Sequence, residues 1–186
     1  MRKLIYFVNS SVDGYIDAAD GVFDWTEVGP EMSAYSKMLN DRCDSILYGR
    51  RVWEMMSSFW PNAESISDHP HDLEYAPVWR EMPKIVFSRT LEKADWNTTV
   101  IGGDLPEKVT ALKNEPGRDL LLMGGSELAG ALTACGLIDE YHIAYHRISL
   151  GGGKKLFLDH RVELDLTSTR LCDGTVVITT YTRRRP

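Results

Sequence analysis

An uninterrupted apolar run from Leu120 to Met123, followed by Gly124 and Gly125, constrains the fold of this 186-residue chain more than any other segment. Bulky apolar residues without alternation are typical of a strand that is buried on both faces. Helical spacing begins at once with Leu128 and Leu132. A strand that turns through two glycines into a helix directs backbone N–H groups and the positive end of the helix dipole at one point. The segment predicts either a phosphate cradle or an ordinary strand–helix turn of an α/β domain, and taken alone it favours the ordinary turn.

Composition and charge place the chain among ordinary globular proteins that can bury a sizeable core. Hydrophobic residues make up 43% and charged residues 26% of the chain, and the formal net charge is −6, so no nucleic-acid surface is expected. No apolar run approaches the ~20 residues of a membrane span, and the N-terminus does not resemble a signal peptide. The three cysteines are far apart and form neither a zinc pattern nor a disulfide framework, which favours a cytoplasmic location. At this length we expect one domain over residues 1–186.

Strand-like and helix-like segments alternate along most of the chain and then give way to two strands in succession. Predicted strands cover 4–8, 45–48, 84–87, 98–101, 120–123, 139–148, 162–171 and 175–182. Predicted helices cover 31–39, 49–56, 72–82 with an interruption at Pro77, 106–114 and 127–135, whereas 9–30 and 57–70 are predicted loops. A turn at Asp173-Gly174 joins the last two strands. This order predicts an α/β fold with a mostly parallel central sheet and a C-terminal antiparallel hairpin.

Three of the predicted strand ends carry groups that suit phosphate oxygens. These groups are Gly49-Arg50-Arg51, Ser88-Arg89-Thr90 and Gly124-Gly125-Ser126. In a parallel sheet the three ends fall at the same edge, where ligands bind, and arginine and hydroxyl donors suit phosphate. Each group alone is a weak signal, because an arginine at the start of a helix is usually solvated. Their repetition predicts a site for an extended ligand with several phosphates, such as a dinucleotide.

Several motifs of known chemistry are missing or incomplete. The Gly-x-Gly-x-x-Gly fingerprint is absent after the first strand, and Gly151 to Lys155 lacks the Ser or Thr of a P-loop, so that segment is either a flexible connection or a substrate contact. His142 and His146 lie in a strand-like segment, where we expect one shared sheet face, and His69 and His71 are expected at the surface. No Gly-x-Ser-x-Gly nucleophile elbow occurs. Metal-dependent and acyl-transfer catalysis therefore have little support, and no metal site is predicted.

The segment from Ser10 to Asp17, directly after the first strand, lies beside the same sheet edge and carries two carboxylates, Asp13 and Asp17. Either one is a candidate to orient a polar substrate or to relay a proton, although Asp-Gly is also a common turn pair. Trp25, Trp53 and Trp60 are candidates for a wall that stacks on a planar ring. The alternative for each tryptophan is a place in the core, which is the commoner role of aromatic residues.

The order of these motifs resembles the dihydrofolate reductase superfamily, and within it the riboflavin-pathway reductase domain (the RibD C-terminal domain) as a stand-alone member. The resemblance spans nearly the whole chain and implies a three-layer α/β/α fold. It is carried by Ser11-Val12-Asp13-Gly14-Tyr15-Ile16, Leu47-Tyr48-Gly49-Arg50-Arg51-Val52-Trp53, Lys84-Ile85-Val86-Phe87-Ser88-Arg89-Thr90, Met123-Gly124-Gly125-Ser126-Glu127-Leu128, Ile138-Asp139-Glu140-Tyr141, and Leu150-Gly151-Gly152-Gly153 with Leu156-Phe157.

The resemblance implies an NADPH-dependent reductase and a homodimer. By position, the resemblance implies that the cofactor's phosphates would contact Gly49, Arg50 and Arg51, and that its pyrophosphate would contact Gly124, Gly125, Ser126, Glu127 and Leu128. The adenosine end, which carries a 2′-phosphate, would contact Ser88, Arg89 and Thr90. The nicotinamide would contact Val8, Asn9 and Ile16. The substrate would face Asp13, Asp17, Trp25 and Trp53, with Asp13 as the candidate catalytic residue.

Two departures from the family narrow the expected activity. The zinc deaminase signature of the bifunctional enzymes is missing. The acidic residue that dihydrofolate reductases carry in the helix before the second strand is also displaced, since the matching position lies nearer Ser33 than Glu31. The leading hypothesis is therefore reduction of a planar heterocycle or a ribityl- or ribosyl-amino compound, resembling the reduction of 5-amino-6-(5-phosphoribosylamino)uracil. The alternatives are a dihydrofolate or pteridine reductase and a non-catalytic nucleotide-binding protein.

Overall fold

An eight-stranded mixed sheet forms the centre of the computed structural model, which describes residues 1–158 and 161–184. Its strand order is β5-β4-β3-β6-β1-β7-β10-β9, and β2 pairs with β8 in a separate two-stranded sheet. The strands are β1 Leu4–Ser11, β2 Tyr15–Asp17, β3 Cys43–Gly49, β4 Lys84–Phe87, β5 Thr98–Ile101, β6 Asp119–Met123, β7 Glu140–His146, β8 Lys154–Lys155, β9 Leu164–Cys172 and β10 Val176–Arg183. The helices are α1 Pro30–Arg42, α2 Arg50–Phe59, α3 Ala63–Ile66, α4 Pro70–Glu81, α5 Leu105–Asn114 and α6 Ser126–Ala134.

The parallel part of the sheet confirms the predicted α/β architecture. Strands β5, β4, β3, β6, β1 and β7 run parallel, and β10 is antiparallel to both β7 and β9. His142 and His146 share one face of β7, as expected, because they are four residues apart in a strand. Among the described residues, no helix is long and apolar enough to cross a membrane.

Apolar residues on both faces of the central strands produce a core on each side of the sheet. Tyr6, Leu120 and Leu122 pack on one side, where α5 and α6 contribute Val109 and Leu132. The intervening residues Ile5, Phe7 and Leu121 pack on the other side, where α1 contributes Met32, Tyr35 and Leu39. This alternation explains why the apolar runs of β1 and β6 lack polar positions, since neither face meets water.

The segment 57–70, predicted as a loop, is mostly helical. Helix α2 continues to Phe59, a 3₁₀ turn covers Trp60–Asn62, and α3 follows. The prolines read as loop signals instead begin helical turns, because Pro61 and Pro70 occupy first-turn positions that need no N–H donor. Pro77 likewise lies inside α4 without interrupting it; it is on the exposed side, where solvent can satisfy the carbonyl that loses its partner.

The turn of the C-terminal hairpin supplies the missing N-cap of α1. Asp173 and Gly174 have φ values of 53° and 67°, which the predicted tight turn requires. The N-cap residue of α1 is Gly29, which has no side chain to accept a bond. Instead, the Asp173 carboxylate accepts hydrogen bonds from the N–H groups of Glu31 and Met32, both at 3.0 Å. This contact ties the antiparallel hairpin to the parallel half of the fold.

A buried carboxylate, Glu140 at the start of β7, connects three elements at the amino edge of the sheet. Its oxygens accept hydrogen bonds from Arg42 at 2.7 and 2.9 Å and from Lys3 at 2.8 Å. His142 lies 3.2 Å away. Hydrogen bonds from His142, Arg42 and Lys3 hold the pKa of Glu140 well below its ordinary value of 4.5. The carboxylate therefore stabilises the fold in its charged form.

We expect the variant Glu140→Gln to lose about 2–4 kcal/mol of unfolding free energy at pH 7, because the amide leaves Arg42 and Lys3 without their buried counter-charge. A carboxylate with a lowered folded pKa contributes stability above its unfolded pKa and loses it as the pH falls through the folded value. The native chain should therefore lose stability more steeply than the variant below pH 4.5. Urea unfolding at several pH values measures both effects.

The matched control for this prediction is Asp41→Asn, which removes an exposed pair with Lys37 and should cost less than about 0.5 kcal/mol. Parallel pH curves for the native chain and Glu140→Gln would contradict the assigned role of Glu140.

Candidate functional site

The three predicted strand ends meet in one cleft at the carboxyl edge of the parallel strands. The cleft has a volume of about 590 Å³, within the range of small-molecule sites. Turns after β3, β4, β5 and β6 form its walls, and Lys154 contributes from β8. We call it the basic cleft; its lining includes Gly49, Arg50, Arg51, Ser88, Arg89, Thr90, Gly125, Ser126, Glu127 and Leu128.

Helix N-termini and cations make the basic cleft suited to anions. Helices α2, α5 and α6 each place first-turn residues in its wall, and first-turn N–H groups have no partner within their own helix. Arg50 pairs with Glu54 at 3.7 Å and Arg51 with Glu127 at 3.9 Å, all of them substantially exposed. Arg89 forms no ion pair with any of the described residues, so its guanidinium is available to a ligand.

Packing, and not the approach of a phosphate to the backbone, explains the first glycine of the turn at Gly124-Gly125. Gly124 has a φ of +105°, and a Cβ there would lie 2.5 Å from Cγ1 of Val52. At Gly125 the φ is +62°, and a Cβ would lie 3.7 Å from Val52. Gly124 is therefore needed for the packing of this turn on α2, and phosphate approach is not what excludes a side chain there. Gly125 is the N-cap of α6 and is the glycine that lines the basic cleft.

A smaller cavity of about 170 Å³, which we call the neck, continues from the basic cleft toward β1. Its lining includes the predicted nicotinamide residues Val8, Asn9 and Ile16, and it also includes Gly124. Arg51, Gly125 and Lys154 line both the neck and the basic cleft. All residues predicted to bind the cofactor thus lie along one path.

The protonation of His146 orients the Asn9 amide at the neck. Nδ1 of His146 accepts the N–H of Glu27 at 3.1 Å, so the ring proton is on Nε2, which donates to Oδ1 of Asn9 at 3.0 Å. Burial lowers the pKa of His146, which favours this neutral form. The Nδ2 donors of Asn9 are left for a ligand, because no described residue accepts a hydrogen bond from them.

Beyond the neck lies a second large cavity, of about 550 Å³, between α1, α2 and α4. Its walls are aromatic and methionine side chains, among them Phe7, Phe23, Met32, Phe59, Trp60, Tyr75 and Met123. The polar side chains in its lining are Asn9, Asp24, Thr26, Ser36, Ser58, His69, His71 and Asp72. We call it the aromatic pocket. Asn9, Phe7 and Met123 line both this pocket and the neck, so the three cavities form one groove.

His71 was predicted to be a surface residue, and this prediction is wrong. Its ring is half-buried and stacks on Tyr75 with a centroid distance of 5.5 Å, and its Nδ1 lies 2.9 Å from Oγ of Ser33. Burial lowers the pKa of His71. The sequence does contain a signal for this placement, since His71 and Tyr75 are four residues apart and share one face of α4.

Asp13, the predicted catalytic residue, has another role in the structure. Its carboxylate accepts hydrogen bonds from Ser11 at 2.6 Å and from Ser149 at 2.8 Å, and also from the N–H groups of Leu150 at 3.1 Å and Gly151 at 2.8 Å. Hydrogen bonds from Ser11, Gly151, Ser149 and Leu150 hold its pKa far below the ordinary range. A carboxyl group that stays ionised is a poor proton donor, and Asp13 lies outside the lining of the groove. The structure assigns it to anchoring the segment 149–151.

The remaining predicted substrate contacts divide between the groove and the core. Asp17 lines the neck and pairs with Lys154 at 2.8 Å, and Trp60 lines the aromatic pocket. Trp25 instead packs in the core against His146 at a centroid distance of 5.6 Å. Trp53 donates from Nε1 to Thr98 at 3.2 Å, at the opposite end of β5 from the cleft. Trp25 and Trp53 therefore do not line the groove, because both are used in packing.

A family model and a curated relative both match nearly the whole chain. The family model described as the RibD C-terminal domain matches residues 2–178. YyaP, an uncharacterised protein of Bacillus subtilis (strain 168), is 33% identical over 97% of this chain and 94% of its own length.

Solved structures with the same fold include a protein of Shewanella sp. PV-4 assigned to riboflavin biosynthesis, with 26% identity, a TM-score of 0.75, and coverage of 98% of this chain and 99% of that one. A dihydrofolate reductase of Enterococcus faecalis, bound to NADP(H), has 13% identity, a TM-score of 0.65, and coverage of 98% and 97%. The second likeness shows the shared fold alone.

We expect Gly124→Ala to destabilise the fold by about 2–4 kcal/mol, because the added Cβ combines a strained φ with a clash against Val52. Gly125→Ala is the matched control and should cost about 1 kcal/mol, since it has the positive φ without the clash. Urea unfolding of both variants provides the comparison.

A second substitution tests the cause of the Gly124→Ala effect. The double variant Gly124→Ala/Val52→Ala should lose less unfolding free energy than the two single variants lose in total, because Val52→Ala removes the clashing methyl groups. We expect this difference to exceed about 0.5 kcal/mol. Strictly additive costs would refute the proposed contact.

Proposed function

The chain belongs to the RibD C-terminal domain family, and on this premise we propose that it is an NADPH-dependent reductase of a small, planar heterocyclic substrate. The observation that carries the proposal is the continuous groove. A basic cleft at three helix N-termini leads through the neck into an aromatic pocket. A dinucleotide that carries a redox-active ring needs this combination of an anion-binding half and a drier half beside the substrate.

The residues of the groove fit the parts of NADPH in order. Gly49, Arg50 and Arg51 are proposed to hold phosphate groups together with Gly125 to Leu128 at the start of α6, and Ser88 to Thr90 to hold the adenosine end. Ser88 also accepts the N–H groups of Thr90 and Leu91 at 3.2 and 2.9 Å, which keeps this turn in place. Val8, Asn9 and Ile16 are proposed to meet the nicotinamide at the neck.

Asn9 is the polar group best placed to orient the nicotinamide. Its oxygen is already engaged by His146, so its Nδ2 donors can bind the carboxamide oxygen. Phe7 and Met123, which are register partners in β1 and β6, line both the neck and the pocket and keep water from the place where the two rings meet. The bound cofactor supplies the hydride. Within the described chain, the carboxyl and imidazole side chains that line the pocket are Asp24, His69, His71 and Asp72, and we assign the accompanying proton transfer to this set in place of Asp13.

Classical dihydrofolate reduction is the weaker candidate because α1 offers no carboxylate to the pocket. The residues of α1 that line it are Met32 and Ser36. Glu31 instead accepts the N–H of Asp173 at the hairpin turn. A homodimer, a cytoplasmic location, a role in riboflavin biosynthesis and a single domain over 1–186 stay predictions from the sequence.

We expect Arg89→Ala to weaken NADPH binding about 10- to 100-fold while changing NADH binding less than about 3-fold, because the unpaired guanidinium is proposed to bind the 2′-phosphate that NADH lacks. Titration calorimetry with both nucleotides, on the native chain and the variant, measures the difference. The control is Arg161→Ala, which removes an exposed arginine paired with Glu163 outside the cleft.

The same titrations test the proposal as a whole. The native chain should bind NADPH more tightly than NADH. If Arg89→Ala weakened the affinity for NADPH and for NADH equally, a contact between Arg89 and the 2′-phosphate would be excluded. If the native chain bound neither nucleotide, the reductase function would be refuted. NADPH binding without oxidation by any pyrimidine, pterin or folate would favour a non-catalytic nucleotide-binding protein.

A further inference from the structure

The charges that line the aromatic pocket are unusual for a site that receives a phosphorylated substrate. Of the residues that the structure describes, no lysine or arginine lines it, and its charged side chains are Asp24 and Asp72. Asp24 is exposed, and no other described side chain is bonded to it. A phosphate group carries up to two negative charges at neutral pH, so two carboxylates without a cation oppose its entry.

Cations on neighbouring elements, Arg80 of α4, Arg51 of α2 and Lys154 of β8, are already engaged elsewhere. Arg80 makes two hydrogen bonds to Glu64, both at 2.7 Å. Arg51 and Lys154 line the neck, where they pair with Glu127 and Asp17 and where the cofactor is proposed to bind. A substrate in the aromatic pocket would have to compete with the cofactor for them.

The N-terminus of α4 reaches the pocket but is poorly suited to an anion. Its first residue, Pro70, has no N–H donor. The N–H of His71 donates to the ring of His69 at 3.2 Å, and those of Asp72 and Leu73 donate to the carbonyl of His69 at 3.0 and 3.2 Å. The carboxylate of Asp72 also occupies this turn. The donors that usually hold phosphate at a helix start are therefore unavailable here.

The walls of the pocket instead suit the faces of a flat ring. Trp60 meets Tyr75 edge to face at 4.7 Å, and His71 stacks on Tyr75. Met55, Met56 and Met123 supply adaptable thioether contacts. Ser36 and His71 offer hydrogen bonds for ring substituents, and Asp24 and Asp72 favour amino groups.

From this chemistry we infer that the substrate is a planar, amino-substituted heterocycle that is neutral or cationic and carries no phosphate. The inference rests on the proposed function, since it concerns the substrate of the same groove. It separates this chain from a reductase of phosphoribosyl compounds, which the family resemblance alone would suggest. An unphosphorylated ribosyl or ribityl substituent remains compatible with the pocket.

The test compares matched compounds that differ only in the phosphate. The first pair of probes is 5-amino-6-(ribosylamino)uracil and its 5′-phosphate. The second pair is a 6-substituted aminopteridine and its phosphate ester. Binding to the protein saturated with NADP⁺ is measured by calorimetry, and NADPH oxidation by absorbance. In at least one pair the unphosphorylated member should bind at least about 10-fold more tightly, and in neither pair should the phosphorylated member be preferred.

A charge variant tests the stated cause. Asp24→Arg should raise the affinity for a phosphorylated probe about 10-fold and lower the affinity for its unphosphorylated partner, because it adds a cation to the pocket lining and removes a carboxylate that favours amino groups. Asp20→Arg, in the same loop but outside the pocket lining, is the control and should change neither.

The outcomes separate the two proposals. The inference would be overturned if the protein preferred a phosphorylated probe, bound both members of each pair with equal affinity, or bound none of the four probes. If NADPH still bound in these cases, the proposed reductase function would stand. Failure of NADPH to bind would overturn the reductase function itself. An Asp24→Arg variant without effect on the phosphorylated probes would overturn the exclusion of phosphate by charge, on which the inference rests.

Discussion

The geometry of the groove depends on the close approach of Gly124 to Val52. It brings the turn after β6 against the first turns of α2, at a distance that leaves no room for a Cβ. Since α2 and α6 both begin at this edge of the sheet, the contact fixes the separation of two helix N-termini. The anion-binding character of the basic cleft follows from that separation, because the dipoles and free N–H groups of the two helices act on the same space.

Helix α2 also links the two halves of the groove. Its first turn carries Arg50 and Arg51 in the basic cleft, and its later residues Met55, Met56 and Phe59 line the aromatic pocket. One helix therefore passes from a charged ligand environment to an apolar one within three turns. Such a change in polarity matches the two ends of a nicotinamide dinucleotide and the flat substrate that its reactive ring must meet.

The sequence predicted those parts of the molecule that depend on local patterns. Apolar runs identified β1, β3, β4 and β6, and strand-end glycines, arginines and hydroxyls identified the basic cleft. It failed where distant segments decide the outcome. Asp13 follows the first strand in the sequence, which made its carboxylate a candidate for the functional site. Its hydrogen-bond donors, however, lie in the distant segment from Ser149 to Gly151. His71 follows Pro70 in a polar segment whose helices become evident only when they pack. Of the residues that line the aromatic pocket, Trp60 was a candidate from the sequence, but most of the others were missed.

The central claim is that a dinucleotide occupies the basic cleft and the neck, and amide hydrogen exchange with and without NADPH tests it most directly. We expect saturating NADPH to slow exchange at residues 49–52, 88–90 and 125–128, which line the cleft, and to leave exchange in the hairpin of β9 and β10 unchanged. Unaltered exchange at those three turns under saturating NADPH, or protection confined to other segments, would contradict the account.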